Sequence, residues 1–383
     1  MRENRKIHDR MNENETHPSN AIRHLYVHFP FCACICPYCA FYKTRGNATE
    51  VARFCEALVL EARRVAKNFP LTLETIFLGG GTPTVLSTTQ LKNLLELFHE
   101  IFDLSHLREW SIEANPGSVS VKKAAALRES GINRISLGVQ SWDNHLLNLL
   151  GREHDAAQAE ESFNIFRSAG FSNISVDLMF ALPGQTERQW RDSLQKTIAL
   201  QPEHISSYCL TYEEDTEFLA RFQRGEFAVN DETETRFLEL AMMTLETAGY
   251  EQYEISNYAR RGCRSEHNRA YWRGADYIGI GPSAFSTRGL ERWQNVANHN
   301  EYARRLLANK SPVASIEKLT PAMKRTEHVA LGLRTREGIG VHTIGQNQAE
   351  RLISDGLLSR QANRFVLTRA GKLLADSVAE ELL

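Results

Sequence analysis

The stretch YVHFPFCACICPYCAFY, residues 26–42, places four of the seven cysteines of the chain within eight positions. Three of them, Cys32, Cys36 and Cys39, have the spacing C-x3-C-x2-C. Thiolates spaced in this way in one loop can surround a soft metal centre. Zinc is normally held by four protein ligands, whereas three ligands leave one iron of a [4Fe–4S] cluster free. The triplet alone is compatible with either metal, and Cys34 lies outside its spacing.

Beyond this loop, strands and helices alternate along the first part of the chain. Runs rich in β-branched and aromatic residues predict six strands, with helical segments between them. Units of about 30 residues predict parallel strands joined by right-handed crossovers. This is an α/β pattern, and six units can form a partial (β/α)6 barrel or an open doubly wound sheet. The predicted strands are 24–29, 74–79, 109–114, 134–139, 173–180 and 204–210, and the helices are 50–69, 88–102, 119–131, 156–170 and 187–200.

The rest of the chain has a different pattern. An amphipathic helix is predicted at 233–248, and a region rich in Gly, Asn and Tyr follows it. From about residue 321, two helices, a hairpin and a last helix follow in the order of a winged helix. Residues 341–383 hold five basic and five acidic side chains, so we expect a packing or docking domain without a DNA-binding face. The expected parts are a disordered lead-in at 1–21, a barrel at 22–250, a connecting region at 251–314 and an α-rich, winged-helix-like domain at 315–383.

The bulk composition excludes several classes of protein. A net charge of −2 gives no electrostatic reason to expect a nucleic-acid partner. Residues 1–20 carry four basic and four acidic side chains, so neither a secretion signal nor a membrane anchor is expected there. The sequence contains no run of about 18 apolar residues, so no transmembrane segment is predicted. Cysteines two or three positions apart rarely form disulfides with each other, and a chain without an export signal lies where thiols stay reduced, so we expect the cytoplasm.

Glycines and polar residues stand where the predicted strands end. The second strand ends in GGGTPT (79–84), which is either a tight turn or a backbone edge open to the amino group of a ligand. In a parallel barrel the carboxyl ends of the strands form the active site. One polar residue at such a place could be a cap, whereas four in successive units indicate a binding site. These four are Glu113, Gln140, Arg152 and Asp177.

A C-x3-C-x2-C loop after the first strand of an α/β chain resembles the radical S-adenosylmethionine (SAM) superfamily. The resemblance implies a [4Fe–4S] cluster on Cys32, Cys36 and Cys39, whose open iron is chelated by the amino and carboxylate groups of SAM. It also implies a reductant, because reduction of the cluster splits the sulfonium to give a 5′-deoxyadenosyl radical. Tyr38, just before the last cysteine, is typical of that superfamily. The glycine run is similar to the motif that binds the methionine amine of SAM.

Eight sequence motifs narrow the resemblance to one branch of this superfamily: LYVHFPFC, CPYC, GGGTPT, EANPG, NRISLGVQS, LGREH, DLMFALPGQT and GYEQYEISNYA. Together they resemble the branch that contains the oxygen-independent coproporphyrinogen III oxidases and the heme chaperones related to them, over about residues 22–380. The cofactor-binding residues that this implies are Tyr26, Tyr38, Gly80, Gly81, Thr82, Glu113, Gln140, Arg152 and Asp177.

Two features distinguish the members of this branch. The oxidases have a fourth cysteine two positions after the third, where this chain has Phe41. The chain also contains HNRAYW (267–272), which matches the H-N-x-x-Y-W motif that the heme chaperones carry and the oxidases lack. Both features favour a heme chaperone without coproporphyrinogen oxidase activity. The alternatives are the oxidase, which would decarboxylate coproporphyrinogen III to protoporphyrinogen IX, and a zinc- or DNA-binding regulator.

The HNRAYW motif suits contact with heme. A neutral imidazole is a common ligand of heme iron, which makes His267 a candidate ligand. Tyr271 and Trp272 could lie against the macrocycle with their polar tips in water. Cys209 and Cys263 are either alternative thiolate ligands or buried structural cysteines. We therefore expect heme as a cofactor, and apo-proteins that receive heme, respiratory ones among them, as partners.

Overall fold

The computed structural model describes residues 21–382, so residues 1–20 of the expected lead-in lie outside the described residues. All six strands predicted from the sequence are present and pair in parallel, which confirms the α/β alternation. They are β1 (Ile22–Phe29), β2 (Leu71–Gly80), β3 (Glu109–Ala114), β4 (Arg134–Gln140), β5 (Ile174–Phe180) and β6 (His204–Cys209).

The helices between the strands lie where the sequence predicts them. Capping boxes, in which a side chain and a backbone amide bond reciprocally, begin four of them. Gly131 and Gly170 follow the ends of the helices 121–129 and 156–168, with positive φ angles of 95° and 88°. Two short helices, at 144–149 and 217–223, were not predicted. The helices are α1 (Ala48–Asn68), α2 (Thr88–Ile101), α3 (Val121–Glu129), α4 (Asn144–Leu149), α5 (Ala156–Ser168), α6 (Glu187–Ala199), α7 (Glu217–Gln223) and α8 (Asp231–Thr247).

Three short strands after residue 250 extend the sheet at both edges. β7 (Glu251–Glu254) and β8 (Asn257–Ala259) form an antiparallel pair beside β6, and β9 (Ile278–Ile280) pairs in parallel with β1. The strand order is therefore β7-β8-β6-β5-β4-β3-β2-β1-β9. The expected boundary at residue 250 thus falls inside the sheet. Strands of three or four residues carry too little alternation to be recognised from sequence.

The sheet curls into a partial barrel. Between β8 and β9 lies α9 (Glu266–Trp272), which touches both β2 and β7. Six strand spacings separate β2 from β7, which would be about 29 Å in a flat sheet. A helix of seven residues is only about 10 Å long. The sheet must therefore be curved, which selects the barrel over the open sheet.

Side chains on each strand alternate between an apolar and a polar environment, with the period of two expected of a strand. Ile76 and Leu78 of β2 belong to the large apolar core under the helices. The alternate positions face the barrel interior, where Ser136 Oγ donates to Asp177 Oδ2 over 2.7 Å. Parallel barrels are usually filled with branched apolar residues, so a polar interior indicates a barrel that holds a ligand. The interior residues include His24, Tyr26 and His28 of β1, Thr75 and Phe77 of β2, Glu109, Ser111 and Glu113 of β3, Arg134 of β4, Ser175 of β5 and His204 of β6.

A small sheet and a second core complete the chain. The small antiparallel sheet has the strands β10 (Phe285–Arg288), β11 (Glu291–Asn295) and β12 (Val313–Lys318), and α10 (His299–Leu307) packs on α1. Residues 321–382, the C-terminal unit, have their own apolar core. Helix, strand, helix and hairpin follow in the order of a winged helix. The elements are α11 (Pro321–Leu333), β13 (Ile339–Gly340), α12 (Gln346–Ser354), β14 (Leu358–Gln361), β15 (Arg364–Leu367), α13 (Arg369–Leu373) and α14 (Ala375–Leu382).

The last predicted helix is divided in two at Leu374. Within residues 21–382, no helix combines the length and the apolar character that a bilayer span requires.

Candidate functional site

The cysteine loop, residues 30–44, follows β1 and is closed at its base. The amide of Cys32 donates to the carbonyl of Thr44 over 3.0 Å, and the amide of Thr44 donates to the carbonyl of Pro30 over 2.7 Å. Phe31 is buried beneath the loop. These contacts fix both ends of the segment that carries the four cysteines. The segment therefore lies at the carboxyl ends of the strands, which we call the mouth of the barrel.

The three cysteines with the cluster spacing lie near one another at the mouth. The Thr82 hydroxyl donates to Cys32 Sγ over 3.6 Å, and Arg152 Nη1 donates to Cys36 Sγ over 3.7 Å. Burial raises the pKa of the Cys32 thiol to about 11, and the neighbouring Cys39 and Cys36 raise it as well. Burial also raises the pKa of Cys39. Buried thiols of this kind become thiolates when a bound metal centre supplies positive charge.

This donor set fits a [4Fe–4S] cluster. In the part of the chain that the structure describes, no three His, Cys, Asp or Glu side chains converge closely enough for a single ion. A cubane needs no such convergence, because each thiolate binds a different iron. The ammonium of Lys43 donates to the carbonyls of Cys39 and Phe41, the latter over 3.3 Å. Lys43 and Arg152 therefore bring positive charge to a centre that three thiolates would make negative.

Cys34 has different partners. Its thiol donates to the carbonyl of Gly151 over 3.7 Å, and a guanidinium nitrogen of Arg45 lies 4.0 Å from its sulfur. With Asn115 and Arg152 it lines a cavity of about 220 Å³ beside the loop. Cys34 is thus part of the wall of this cavity, and its exclusion from the ligand set stays a prediction.

The glycine run after β2 is packed against protein atoms. A Cβ on Gly80, which has a φ of 102°, would lie 2.4 Å from the His28 ring, and one on Gly81 would lie 2.7 Å from the Phe29 carbonyl oxygen. The amides of Gly80 and Gly81 donate to Glu113 over 3.0 Å and to Phe29 over 2.6 Å. Glycine is therefore required by the turn itself. The amino group of a ligand is a hydrogen-bond donor, so it would meet the carbonyl groups of this turn.

Two carboxylates face the interior near the mouth. Burial raises the pKa of Glu113 to about 7, and the neighbouring Asp177 raises it as well. Asp177 accepts hydrogen bonds from Ser136 over 2.7 Å and from Ser175 over 2.8 Å. A buried carboxyl that titrates near neutral pH beside a second carboxyl is typical of a functional site. A cationic ligand group would favour its ionised form.

Arg152 joins the cysteine loop to the ends of β3 and β4. Its Nη2 donates to Asn115 Oδ1 over 2.6 Å and to the Gly138 carbonyl over 2.8 Å. Asn115 in turn donates to the Thr82 hydroxyl over 2.8 Å. Sequence reasoning did not select Asn115, although it stands two positions after Glu113 in EANPG and so at the same strand end.

The remaining predicted residues surround this group. Gln140 has a φ of 68°, a conformation that is costly for a residue other than glycine and is common at functional sites. The Tyr26 ring stacks on Phe77 at 6.3 Å, and the Tyr38 ring lies 6.1 Å from Phe218. The structure therefore places the predicted cluster ligands and SAM-binding residues near one another at the mouth of the barrel. They are Cys32, Cys36, Cys39, Tyr26, Tyr38, Gly80, Gly81, Thr82, Glu113, Gln140, Arg152 and Asp177.

The opposite end of the barrel, its base, is closed by α9. The Glu109 carboxylate accepts hydrogen bonds from the amides of Glu266 over 2.7 Å and His267 over 3.2 Å, and so caps this helix. The His267 side chain enters the barrel, where its Nδ1 lies 2.8 Å from the Thr75 hydroxyl, which also lies 2.9 Å from His24 Nδ1. Burial lowers the pKa of His267 to about 3, so its imidazole is neutral at pH 7.

The three predicted heme contacts of HNRAYW face different surroundings. His267 lies inside the barrel, whereas the Tyr271 side chain is 50% exposed and its ring lies 5.9 Å from that of Tyr277. The Trp272 ring lies 6.0 Å from that of Tyr253 and lines a cavity of about 500 Å³ against the C-terminal unit. The motif therefore connects the barrel base to this cavity and does not form one flat surface.

Two further cysteines had been considered as heme ligands. Burial raises the pKa of Cys209 to about 12, and burial also raises the pKa of Cys263. Neither residue lines the 500 Å³ cavity. Both cysteines are half-buried, and their role, as heme ligands or as structural residues, stays a prediction.

Comparison with known proteins defines the class. Residues 26–197 match the radical SAM superfamily. The solved structure of coproporphyrinogen III oxidase (HemN) from Escherichia coli, described as a radical SAM enzyme, has a TM-score of 0.82 and 24% identity, over 95% of this chain and 90% of that chain. The fold is therefore that of a radical SAM protein.

Curated relatives narrow this class. The heme chaperone HemW of Bacillus subtilis is 36% identical over 367 residues, which cover 92% of this chain and 97% of that protein. The heme chaperone HemW of Mycobacterium tuberculosis is 35% identical over 94% of each chain. The mitochondrial radical S-adenosyl methionine domain-containing protein 1 of Bos taurus is 33% identical over 92% of this chain and 82% of that protein. This chain belongs to the HemW family.

Proposed function

We propose that the protein is a heme chaperone, which binds heme and a [4Fe–4S] cluster with SAM and transfers heme to apo-proteins. The observation that carries this proposal is the similarity to the HemW of Bacillus subtilis over 97% of that protein's length. The HNRAYW motif at 267–272 supports it further.

The mouth residues have complementary parts in holding the cofactors. Cys32, Cys36 and Cys39 would hold the cluster, and Arg152 beside Cys36 would offset its charge. Glu113, when ionised, attracts a cationic amino group, and its high pKa falls as that group binds. When bound, the cluster and SAM would supply one-electron chemistry. The chain's own part is to bind, orient and shield these groups.

The oxidase alternative lacks support at one position. Phe41 replaces the fourth cysteine of the oxidases, and its side chain is 66% exposed beside the cysteine loop. A phenyl group can neither ligate iron nor exchange a proton. We therefore propose that the protein has no coproporphyrinogen oxidase activity, although its fold matches that of the oxidase.

The compartment and the partners follow from the same proposal. All seven cysteines, each within the described residues, are unpaired, which supports a reducing compartment, and we infer the cytoplasm. The partners would be an electron donor for the cluster and the apo-proteins that receive heme, with respiratory heme proteins as candidates.

One experiment tests the chaperone against the oxidase. Anaerobically reconstituted protein is loaded with hemin and mixed with an apo-acceptor whose heme spectrum differs, while a second sample receives coproporphyrinogen III, SAM and reductant. We expect the acceptor to gain heme from the loaded protein and no protoporphyrinogen IX to appear by chromatography. The control is the same amount of free hemin. Robust turnover of coproporphyrinogen III, or the absence of any heme binding, would contradict the proposal.

A further inference from the structure

A cavity of about 500 Å³ lies between the end of α9 and the C-terminal unit. We propose that heme binds in this cavity, with His328 as the axial ligand of its iron. The inference rests on the proposed function, because it concerns where the protein holds its cargo. The residues that carry it are Trp272 at the end of α9, Arg273 directly after it, His328 and Gly332 of α11, Arg336 in the loop that follows, and Val366 of β15.

The cavity has the size and lining of a ligand site. Cavities that bind small molecules typically measure roughly 300–1,000 Å³ and combine apolar walls with a few polar groups. Trp272 supplies a flat aromatic wall, held from the side by Tyr253 at 6.0 Å between ring centroids. Val366 supplies a second apolar surface. A planar macrocycle can stack on such an indole face.

The imidazole of His328 lines the cavity and is available to bind iron. It stands on α11 one turn before Gly332, on the face of the helix that lines the cavity. Within residues 21–382, neither of its ring nitrogens has a hydrogen-bond partner, and the side chain is exposed. Gly332 also lines the cavity, and a Cβ there would lie 2.7 Å from Ile339, so glycine is needed where α11 packs on β13. A neutral imidazole is a common axial ligand of heme.

Two guanidinium groups at the cavity suit the propionates of heme. Arg273 lies 3.3 Å from Glu337, and Arg336 lies 3.3 Å from Glu251. The Arg273 and Arg336 side chains are 53% and 58% exposed, so these ion pairs are weak and their cations can turn to a new carboxylate. Paired N–H donors of arginine match the geometry of a carboxylate. The two propionate charges would thus meet two mobile cations.

This placement gives His267 a positioning role. Its bond to Thr75 and the Glu109 cap fix the orientation of α9, which carries Trp272 five positions further on. His267 itself does not line the 500 Å³ cavity. Loss of His267 would disturb the wall that Trp272 forms and would leave the iron ligand in place.

The first test separates the iron ligand from the wall. Wild type, His328→Ala, His267→Ala and the control His342→Ala, an exposed histidine of the same unit that does not line the cavity, are titrated with hemin and with metal-free protoporphyrin IX. We expect His328→Ala to lose the spectrum of imidazole-ligated heme and about tenfold in hemin affinity, with little change for protoporphyrin IX. His267→Ala should weaken the binding of both hemin and protoporphyrin IX, and its hemin complex should keep the spectrum of imidazole-ligated heme.

The second test concerns the propionates. The double variant Arg273→Gln, Arg336→Gln should bind hemin about tenfold more weakly, yet should bind hemin dimethyl ester like the wild type. Arg325→Gln, an exposed arginine of α11 outside the cavity, is the matched control. Equal losses for hemin and its ester would remove the arginines from the site.

The results of these titrations distinguish a wrong heme site from a wrong chaperone function. If wild type binds hemin while His328→Ala keeps the ligated spectrum and His267→Ala loses it, the site lies in the barrel and the inference is overturned alone. If wild type binds no hemin, the chaperone function fails with it. Loss of the ligated spectrum in His328→Ala alone would support the inference.

Discussion

The mouth and the base of the barrel are both polar, but their buried carboxylates are bonded differently. At the base, Glu109 accepts hydrogen bonds from two amides of α9 and from the hydroxyls of Ser111 and Ser265, over 3.1 and 3.3 Å. Both ring nitrogens of His204 also have hydrogen-bond partners, since they lie 2.8 Å from Ser175 Oγ and 2.7 Å from Tyr253 Oη. The base therefore contains a hydrogen-bond network that holds α9 in the barrel, although Nε and Nη1 of the buried Arg134, at the start of β4, have no partner among the described residues.

At the mouth, the corresponding carboxylate, that of Glu113, can accept further hydrogen bonds. Among the described residues, Glu113 accepts one hydrogen bond, from the amide of Gly80 over 3.0 Å. Burial and the neighbouring Asp177 raise its pKa to about 7. Glu109 at one end of the barrel thus holds α9 through four hydrogen bonds, whereas Glu113 at the other end keeps acceptor capacity for a ligand.

The largest expected effect is at the mouth. Substitution of Cys32, Cys36 or Cys39 by Ala should abolish the cluster, because three thiolates are its whole protein ligand set. Cys34→Ala is the matched control, and it should keep the cluster because this thiol bonds to Gly151. Iron and labile sulfide near four per chain, with the absorption of the reconstituted protein, measure the outcome.

Two results would contradict the assignment. Loss of the cluster in Cys34→Ala would show that the ligand set is wrong. Zinc in place of iron and sulfide would return the loop to the structural zinc interpretation.

The next effect is at the base. Glu109→Ala removes the acceptor of two helix amides and two buried hydroxyls, and it should lower the free energy of unfolding by about 3 kcal/mol. The cluster content should stay unchanged, since Glu109 lies at the other end of β3. Urea unfolding measures the loss, with Glu56→Ala, an exposed glutamate of α1, as control. A variant as stable as the control would show that the network does not hold α9.

Sequence reasoning found the mouth more completely than the base, for physical reasons. Chemistry at the mouth falls at strand ends, which the alternation of strands and helices locates, so Glu113 and Arg152 were found. Glu109 stands at the amino end of β3 and Thr75 inside β2, away from the carboxyl ends, and nothing in their neighbours shows that a helix more than 150 residues away will bond to them.

The HNRAYW motif shows the same limit. Its residues are neighbours in sequence, but a short helix projects them in different directions. Only the packing of α9 determines that His267 faces the barrel while Trp272 faces the C-terminal unit. Residue spacing could not have separated these two environments.

A third prediction concerns the pH dependence of the effect that Glu113 has on the free energy of unfolding. The pKa of Glu113 is about 7 in the fold, against an ordinary value of 4.5. Between these values the folded chain keeps a proton that the unfolded chain loses, so this group lowers stability as pH rises through that window. Glu113→Gln should therefore raise the free energy of unfolding by about 2 kcal/mol at pH 8 and by almost nothing at pH 4.

The matched control is Glu61→Gln. Burial also raises the pKa of Glu61 to about 7, but this carboxylate accepts hydrogen bonds from Gly281, Asn295 and Tyr302. Its replacement should therefore destabilise the protein. Weaker SAM binding is expected only in the Glu113 variant. Destabilisation by Glu113→Gln at pH 8 would place Glu113 among the structural residues.

The smallest effect tests how the base holds the motif. Thr75→Val keeps the shape of the side chain and removes the hydroxyl that bonds to His24 and His267, at a cost of about 1 kcal/mol in unfolding free energy. Burial lowers the pKa of His24 to about 4 and that of His267 to about 3, so both rings are neutral at pH 6.5–8 and the loss should be constant across that range. Thr72→Val, on the same strand and without a side-chain hydrogen bond in the described residues, is the control. A loss that grew toward pH 6.5 would show instead that one of the two imidazoles becomes charged in the folded protein, and the base would then be a site that titrates near neutral pH.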